Sequence, residues 1–266
     1  MSSNNNTLKI INSKQVIDLI KESKRIDGRS LNDFRNLEII PNTISSADGS
    51  AWVKLGESEV LCGIKFAVGD PFVDNPNEGS IMTNFELSEL ASPDFETGPP
   101  GMDAIEYGRI VDKVIRSSEC IDFEALCIVP GEKVFLVFID IYAINADGNL
   151  IDAAQFAAMS ALLNARIPKL NEDNEIIKEY TSKTLAIDVS KIPVSITFSK
   201  IEDKLVIDAN IMEEYSSSSR FSVGVCKNNI VSIQKSGGSS YSEAEVNYMF
   251  DIAASKYEAI KKKIIG

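Results

Sequence analysis

The stretch from Lys133 to Pro168, KVFLVFIDIYAINADGNLIDAAQFAAMSALLNARIP, limits the folds open to this chain more than any other. Val134 to Ile144 is an almost unbroken apolar and β-branched run, the composition of a central strand with both faces covered. Asp147-Gly148 then reads as a turn, and Leu150 to Arg166 as a helix. Ala153, Ala157, Ala161 and Ala165 recur every fourth residue, with Ala154 and Ala158 beside them. They give the helix a flat face of small side chains, which lets its backbone approach a sheet closely. Pro168 is expected to close the helix.

Around this unit the chain alternates between strands and helices. The Asn- and Ser-rich first dozen residues read as disordered, and Ser13 to Lys24 as a short amphipathic helix. The arginine-bearing segment RIDGRSLNDFRNLEII, residues 25–40, reads as a turn entering a strand, with Arg25, Arg29 and Arg35 in structural or interface roles. Residues 47–69 read as a hairpin turning at Gly56-Glu57-Ser58, and Ile81 to Leu90 as a further strand. After the Pro- and Gly-rich loop 91–101, Asp103 and Glu106 have capping-box spacing. In the helix they introduce, Tyr107, Ile110, Val111, Val114 and Ile115 make a core face. Arg109, Lys113 and Arg116 line another stripe, which by itself reads as a solvated surface. Residues 171–184 are polar and read as an excursion between halves. Strands follow at 194–199, 204–209, 221–227 and 230–234, and then a long helix opened by a Ser242–Glu245 capping box. The expectation is an α+β fold of two similar halves, each a mixed sheet with packed helices. A tail and short helix at 1–24 precede a first half at 25–185 and a second at 186–266.

Composition narrows the chemistry. The 266 residues include no histidine, which removes Ser-His-Asp and Cys-His nucleophiles, imidazole acid–base steps and His-ligated zinc. A net charge of −12 opposes broad binding to a phosphate backbone, so any nucleic acid must bind locally. The four cysteines lack CxxC spacing and read as structural thiols. No apolar run approaches the roughly 18 residues of a membrane span, and MSSNNNTLK does not resemble a signal peptide, so a cytoplasmic protein is expected.

In order and spacing, RIDGRSLNDFRNLEI, ADGSAWVKLGESEVLCGIK, NPNEGSIMTNFELSELASPDFETGPPG and CIVPGEKVFLVFIDIYAINADGNLIDAAQFAAMSALLNARIP resemble the RNase PH family. The likeness runs from Arg25 to the last helix. The ELASPDFETGPP loop and the DGNLIDAA turn look most like noncatalytic ring subunits of the archaeal exosome. The resemblance implies a hetero-hexameric ring in which this chain alternates with a catalytic RNase PH-like subunit. It also implies RNA-binding cap proteins, a single-stranded RNA substrate, no cofactor, no metal and no membrane.

Departures from the family pattern bear on its role. Catalytic members resemble one another in an Asp-Gly-Gly-Thr-Arg turn that holds the attacking phosphate. Here the turn is Asp147-Gly148-Asn149-Leu150, a degenerate phosphate turn in which Leu150 is taken to replace the Arg and Asp152 adds a negative charge. Loss of a charge-assisted contact would weaken phosphate binding by roughly 1.5–3 kcal/mol. The family also resembles itself in a pair of acids after a strand-ending Asp. Counting from Asp208, Glu213 and Glu214 fall near the first acid and Arg220 near the second, so no complete catalytic set is expected. The resemblance further implies that Arg109, Lys113 and Arg116 face the RNA path. The expected role is therefore noncatalytic, in scaffolding and RNA guidance. The rival expectation is a self-sufficient phosphorolytic 3′-to-5′ exoribonuclease using Glu213 or Glu214.

Overall fold

The computed structural model describes residues 13–266, so the expected N-terminal tail lies outside the described residues. Residues 13–21 are helical (α1), the helix ending before the expected Lys24, and set Val16 and Ile20 against Ile201 and Val206.

The first sheet runs in the order β1 (Leu37–Pro41), β2 (Gly49–Leu55), β3 (Ser58–Gly69), β6 (Lys133–Asn145), β4 (Ser80–Leu87), with β5 (Cys127–Val129) also paired to β6. It is mixed: β4 runs parallel to β6, and the other pairs are antiparallel. The hairpin between β2 and β3 turns on Gly56 and Glu57 alone, because Ser58 already pairs with Leu55. Strand β6 is interior, as its composition requires, but only one of its faces is closed. Val137, Ile139, Ile141 and Ala143 are fully buried, whereas Leu136, Phe138 and Ile144 are half-buried and Tyr142 is exposed. The sequence could not distinguish these faces, because apolar side chains occupy both.

Helix α3 (Leu150–Leu163) covers the closed face and is buried along nearly its whole length. Its small side chains permit a close approach. A Cβ added at Gly49 would lie 2.5 Å from the Ala161 carbonyl oxygen. The helix ends at Leu163, and Pro168 lies within β7 (Arg166–Leu170), so Pro168 does not terminate it. Strand β7 pairs with β8 (Ile176–Thr184), which makes the polar excursion a hairpin.

The second sheet is antiparallel, in the order β10 (Lys204–Ile207), β9 (Val194–Ile201), β11 (Ser219–Cys226), β12 (Asn229–Gly237). Helix α2 (Met102–Ser118) packs on β4 and on β12 and so bridges the two sheets. Its N-cap is Gly101, without a side-chain cap; Asp103 is already helical, so the expected Asp103–Glu106 box does not form. Between β10 and β11 lies a short helix, α4 (Ile211–Ser216), held by an Asn210–Glu213 capping box that sequence reading passed over. The C-terminal helix α5 (Glu243–Ile265) has the expected Ser242–Glu245 box and buries Met249, Ala253, Tyr257 and Ile260. All four cysteines are free, and burial pushes the Cys120 thiol up to about 11, as suits an inert core group.

Candidate RNA-guiding site and degenerate phosphate turn

The turn after β6 is pinned from three sides. Gly148 adopts φ +80°, and a Cβ there would come within 2.5 Å of the Ala209 carbonyl oxygen and 2.8 Å of the Ile211 nitrogen. The backbone of the turn thus abuts the start of α4 directly, and only glycine fits. Asn149 follows at φ +49°, a left-handed geometry that Asn tolerates. From the first hairpin, the Ser58 hydroxyl donates to the Gly148 carbonyl at 2.6 Å. From the N-terminal segment, Arg35 donates to the Asp147 carbonyl at 2.7 Å and to the Gly148 carbonyl at 3.1 Å.

The acids beyond Asp208 are not surface carboxylates. Asp208 is fully buried; its side chain accepts from the Arg35 guanidinium at 2.8 and 3.0 Å, from Arg29 at 3.1 Å and from Asn149 Nδ2 at 2.9 Å. Glu213 is fully buried and joined to Arg25. Glu214 is half-buried and accepts the backbone N–H of Asn149 at 2.8 Å. Burial pushes the Glu214 carboxyl above the ordinary range, against the opposing pull of that N–H, Arg220 and Arg35. Arg220, where a second acid was sought, stacks on Tyr107 at 5.0 Å and pairs with Glu106 at 3.3 Å. The arginines at 25, 29 and 35 are therefore internal counter-ions to the acids of the second half. One sequence signal for this was available: two charge-rich segments with no apolar periodicity, far apart in the chain.

Asp152 is shared between the turn, where it accepts from Asn149 Nδ2 at 3.0 Å, and the second half. It points into the second sheet, where Thr197 donates to it through its N–H at 2.9 Å and its hydroxyl at 2.8 Å. Burial raises its pKa to about 7, so it is partly neutral at physiological pH. The arginine's place in the five-residue motif, counted from Asp147, also falls one residue later than Leu150. It belongs to Ile151, which packs against Ile110 and Val114 of α2. Leu150 is buried in the main core. Neither position carries a cation.

The cationic stripe of α2 divides. Arg116 turns toward β4, bonding Ile81's carbonyl oxygen, the Ser80 hydroxyl at 3.3 Å and Asp112 at 2.7 Å. Lys113 turns the other way, to the Ile233 carbonyl of β12 at 3.3 Å. Arg109, exposed between them, has no hydrogen bond or ion pair among the described residues. It lines an open groove of about 510 Å³ beside Asn84, Glu86, Ile105 and Asp140.

Comparison with known proteins supplies a frame for this geometry. Residues 33–168 match domain 1 of the 3′ exoribonuclease family, RNase PH, and residues 191–256 match its domain 2. An exosome complex component Rrp42 from Thermococcus onnurineus is 45% identical, covering 94% of this chain and 93% of that protein. A structure described as the Archaeoglobus fulgidus exosome with RNA bound to the active site superposes at TM-score 0.90. Its chain is 38% identical, and the match covers 97% of this chain and 99% of that one. An archaeal exosome core superposes at 0.88, with 34% identity over 99% of this chain and all of its own.

Proposed function

From a chain that belongs to the RNase PH family of 3′ exoribonucleases, with its turn and acids consumed internally, we propose a noncatalytic ring subunit of an exosome-type complex. In this reading the chain scaffolds a catalytic RNase PH-like neighbour in a hetero-hexameric ring. It holds single-stranded RNA while that neighbour degrades it from the 3′ end, with phosphate as nucleophile. RNA-binding cap proteins complete the assembly, which acts in the cytoplasm.

The observation that carries the proposal is the state of the acids. Asp208 and Glu213 are buried and matched to Arg29, Arg35 and Arg25, so neither is free to give a proton to a leaving oxygen. Two further features support it. The apolar outer face of β6, left half-covered within one chain, is the kind of surface a neighbouring subunit would close. Arg109 offers an uncommitted cation for a phosphate, a contact that adds affinity without sequence preference.

A second reading, a self-sufficient phosphorolytic exoribonuclease, draws on Glu214, whose raised pKa would suit a general acid. The deciding experiment is phosphate-dependent release of nucleoside diphosphates from poly(A), with the chain alone and then reconstituted with a catalytic-type partner. Silence alone and activity in the mixture are expected. Robust release by the chain alone would overturn the noncatalytic reading in favour of the second.

A further inference from the structure

The outer face of the first sheet gathers its charges at one corner. Register places Trp52 beside Leu61, Leu61 beside Tyr142 and Tyr142 beside Glu86, so a row of three large side chains crosses β2, β3 and β6 and ends on a carboxylate of β4. In the next row Gly63, Asp140 and Asn84 stand side by side, and the glycine puts no side chain over Asp140 from β3. Asn84 Nδ2 donates to Asp140 at 3.0 Å. Asp112 is paired with Arg116 at 2.7 Å, whereas neither Glu86 nor Asp140 has an ion pair among the described residues. Both carboxylates line the groove of about 510 Å³ that also holds Arg109, and its opposite wall is apolar, made by Pro100, Ala104 and Ile105. That wall stands close because Gly108 brings α2 against the free edge of β4, where an added Cβ would lie 3.5 Å from the Thr83 carbonyl oxygen. Ile105 and, one turn before it, Met102 are exposed, so nothing within the chain covers the wall. Burial and then the Glu86 and Asp140 carboxylates push the Tyr142 phenol above its ordinary value, as expected beside concentrated negative charge.

Two unpaired carboxylates against the single Arg109 guanidinium give the groove a negative field, which repels phosphate and favours a cation. Its occupant must also cover Ile105 and Pro100. A basic side chain does both, because arginine and lysine lay an alkyl stem along apolar surface and carry the charge at its end. A guanidinium can further bond carboxylate oxygens in parallel and lie over an aromatic face such as that of Tyr142. A second copy of this chain is a poor source, since two bodies of net charge −12 repel one another.

We propose that the groove is a socket for an arginine or lysine side chain of the neighbouring subunit, with its stem on Ile105 and Pro100 and its charge between Glu86 and Asp140. The inference rests on the ring-subunit reading and adds the chemistry that the neighbour must present: a basic residue projecting from a surface that also closes over Trp52, Leu61 and Tyr142. Arg109, exposed beside the socket, remains available to RNA.

The test is assembly in the absence of RNA. The full chain is titrated with a catalytic-type RNase PH-like partner across a salt series, and the complex is followed by sedimentation velocity. Glu86→Gln combined with Asp140→Asn keeps both shapes and removes both charges; it should raise Kd at least about tenfold at low salt and flatten the salt dependence. Glu86→Lys reverses the charge at an exposed position, disturbs no packing, and should weaken assembly by more than Glu86→Gln alone. Variants that assemble with wild-type affinity and salt dependence overturn the socket and leave the ring-subunit reading standing, whereas failure of the wild-type chain to assemble overturns both. Single-stranded RNA binding by the chain alone decides against the other occupant. It should hold or strengthen when the two acids are neutralised, and a loss would place RNA in the groove and overturn the proposal.

Discussion

The Arg25 guanidinium and the Glu213 carboxylate form a two-point pair, Nε to Oε1 at 2.8 Å and Nη2 to Oε2 at 2.5 Å, with both side chains wholly removed from solvent. They are 188 residues apart in sequence, so the pair ties the N-terminal segment to the second half. Arg25 also donates to the carbonyls of Ile207 at 3.0 Å and Asp208 at 2.8 Å. Removing either partner leaves an uncompensated buried charge. Glu213→Ala and Arg25→Ala should each destabilise by about 3–5 kcal/mol in denaturant unfolding, and the double replacement by clearly less than their sum. Additive losses would mean that the two groups do not act as a pair.

Asp152 should make stability fall as pH rises through the acid range. Its pKa is raised from the ordinary 3.8 to about 7, so between those values the folded chain holds a proton that the unfolded chain releases. The stabilisation is fully present below about pH 3.8 and is lost as pH approaches 7, with a slope of up to about 1.4 kcal/mol per pH unit. Carboxyls with lowered values, such as Asp188 and Glu245, act in the opposite sense, as pH falls below their ordinary values of 3.8 and 4.5. Urea midpoints from pH 4 to 8 should therefore show a downward trend that Asp152→Asn makes shallower, with the raised Asp147 and Glu214 carboxyls supplying the remainder. An unchanged trend in the Asn variant would assign it elsewhere.

Among the three α2 cations, Arg109 should matter most for RNA. Arg109→Ala is expected to flatten the logarithmic salt dependence of single-stranded RNA binding by about 0.7, the share of one phosphate contact, in the reconstituted complex. Arg116→Ala should show itself mainly as a stability loss of about 1 kcal/mol, because its guanidinium is engaged by Ile81 and Asp112. Fluorescence anisotropy across a salt series separates the two. An unchanged slope for Arg109→Ala would remove it from the RNA path.

Gly148→Ala should be damaging out of proportion to its size. The residue sits at φ +80°, and the added methyl would meet backbone rather than a side chain that could move aside. A cost of at least about 1–3 kcal/mol in thermal or denaturant unfolding is expected. A neutral substitution would mean that the turn and α4 separate easily.

Local pattern determined much of this protein. The β-branched run of β6, the alanine face of α3 and the Ser242–Glu245 box are written in neighbouring residues, whose spacing fixes which face they present. The ordered motifs likewise carried the family, because each is a contiguous string. Tertiary structure alone decided the fate of the charges. Arg25, Arg29 and Arg35 meet Asp208 and Glu213 only when the two halves close, and whether a carboxylate is solvated, paired or half-neutral depends on those distant partners. Sequence therefore marked Glu213 and Glu214 as acids of interest, but only packing made one a buried counter-ion and the other the cap of α3. The cations of α2 diverged for the same reason. Equal spacing on one helix gave them one stripe, and two flanking strands, brought there by the fold, drew Lys113 and Arg116 to opposite sides and left Arg109 between them.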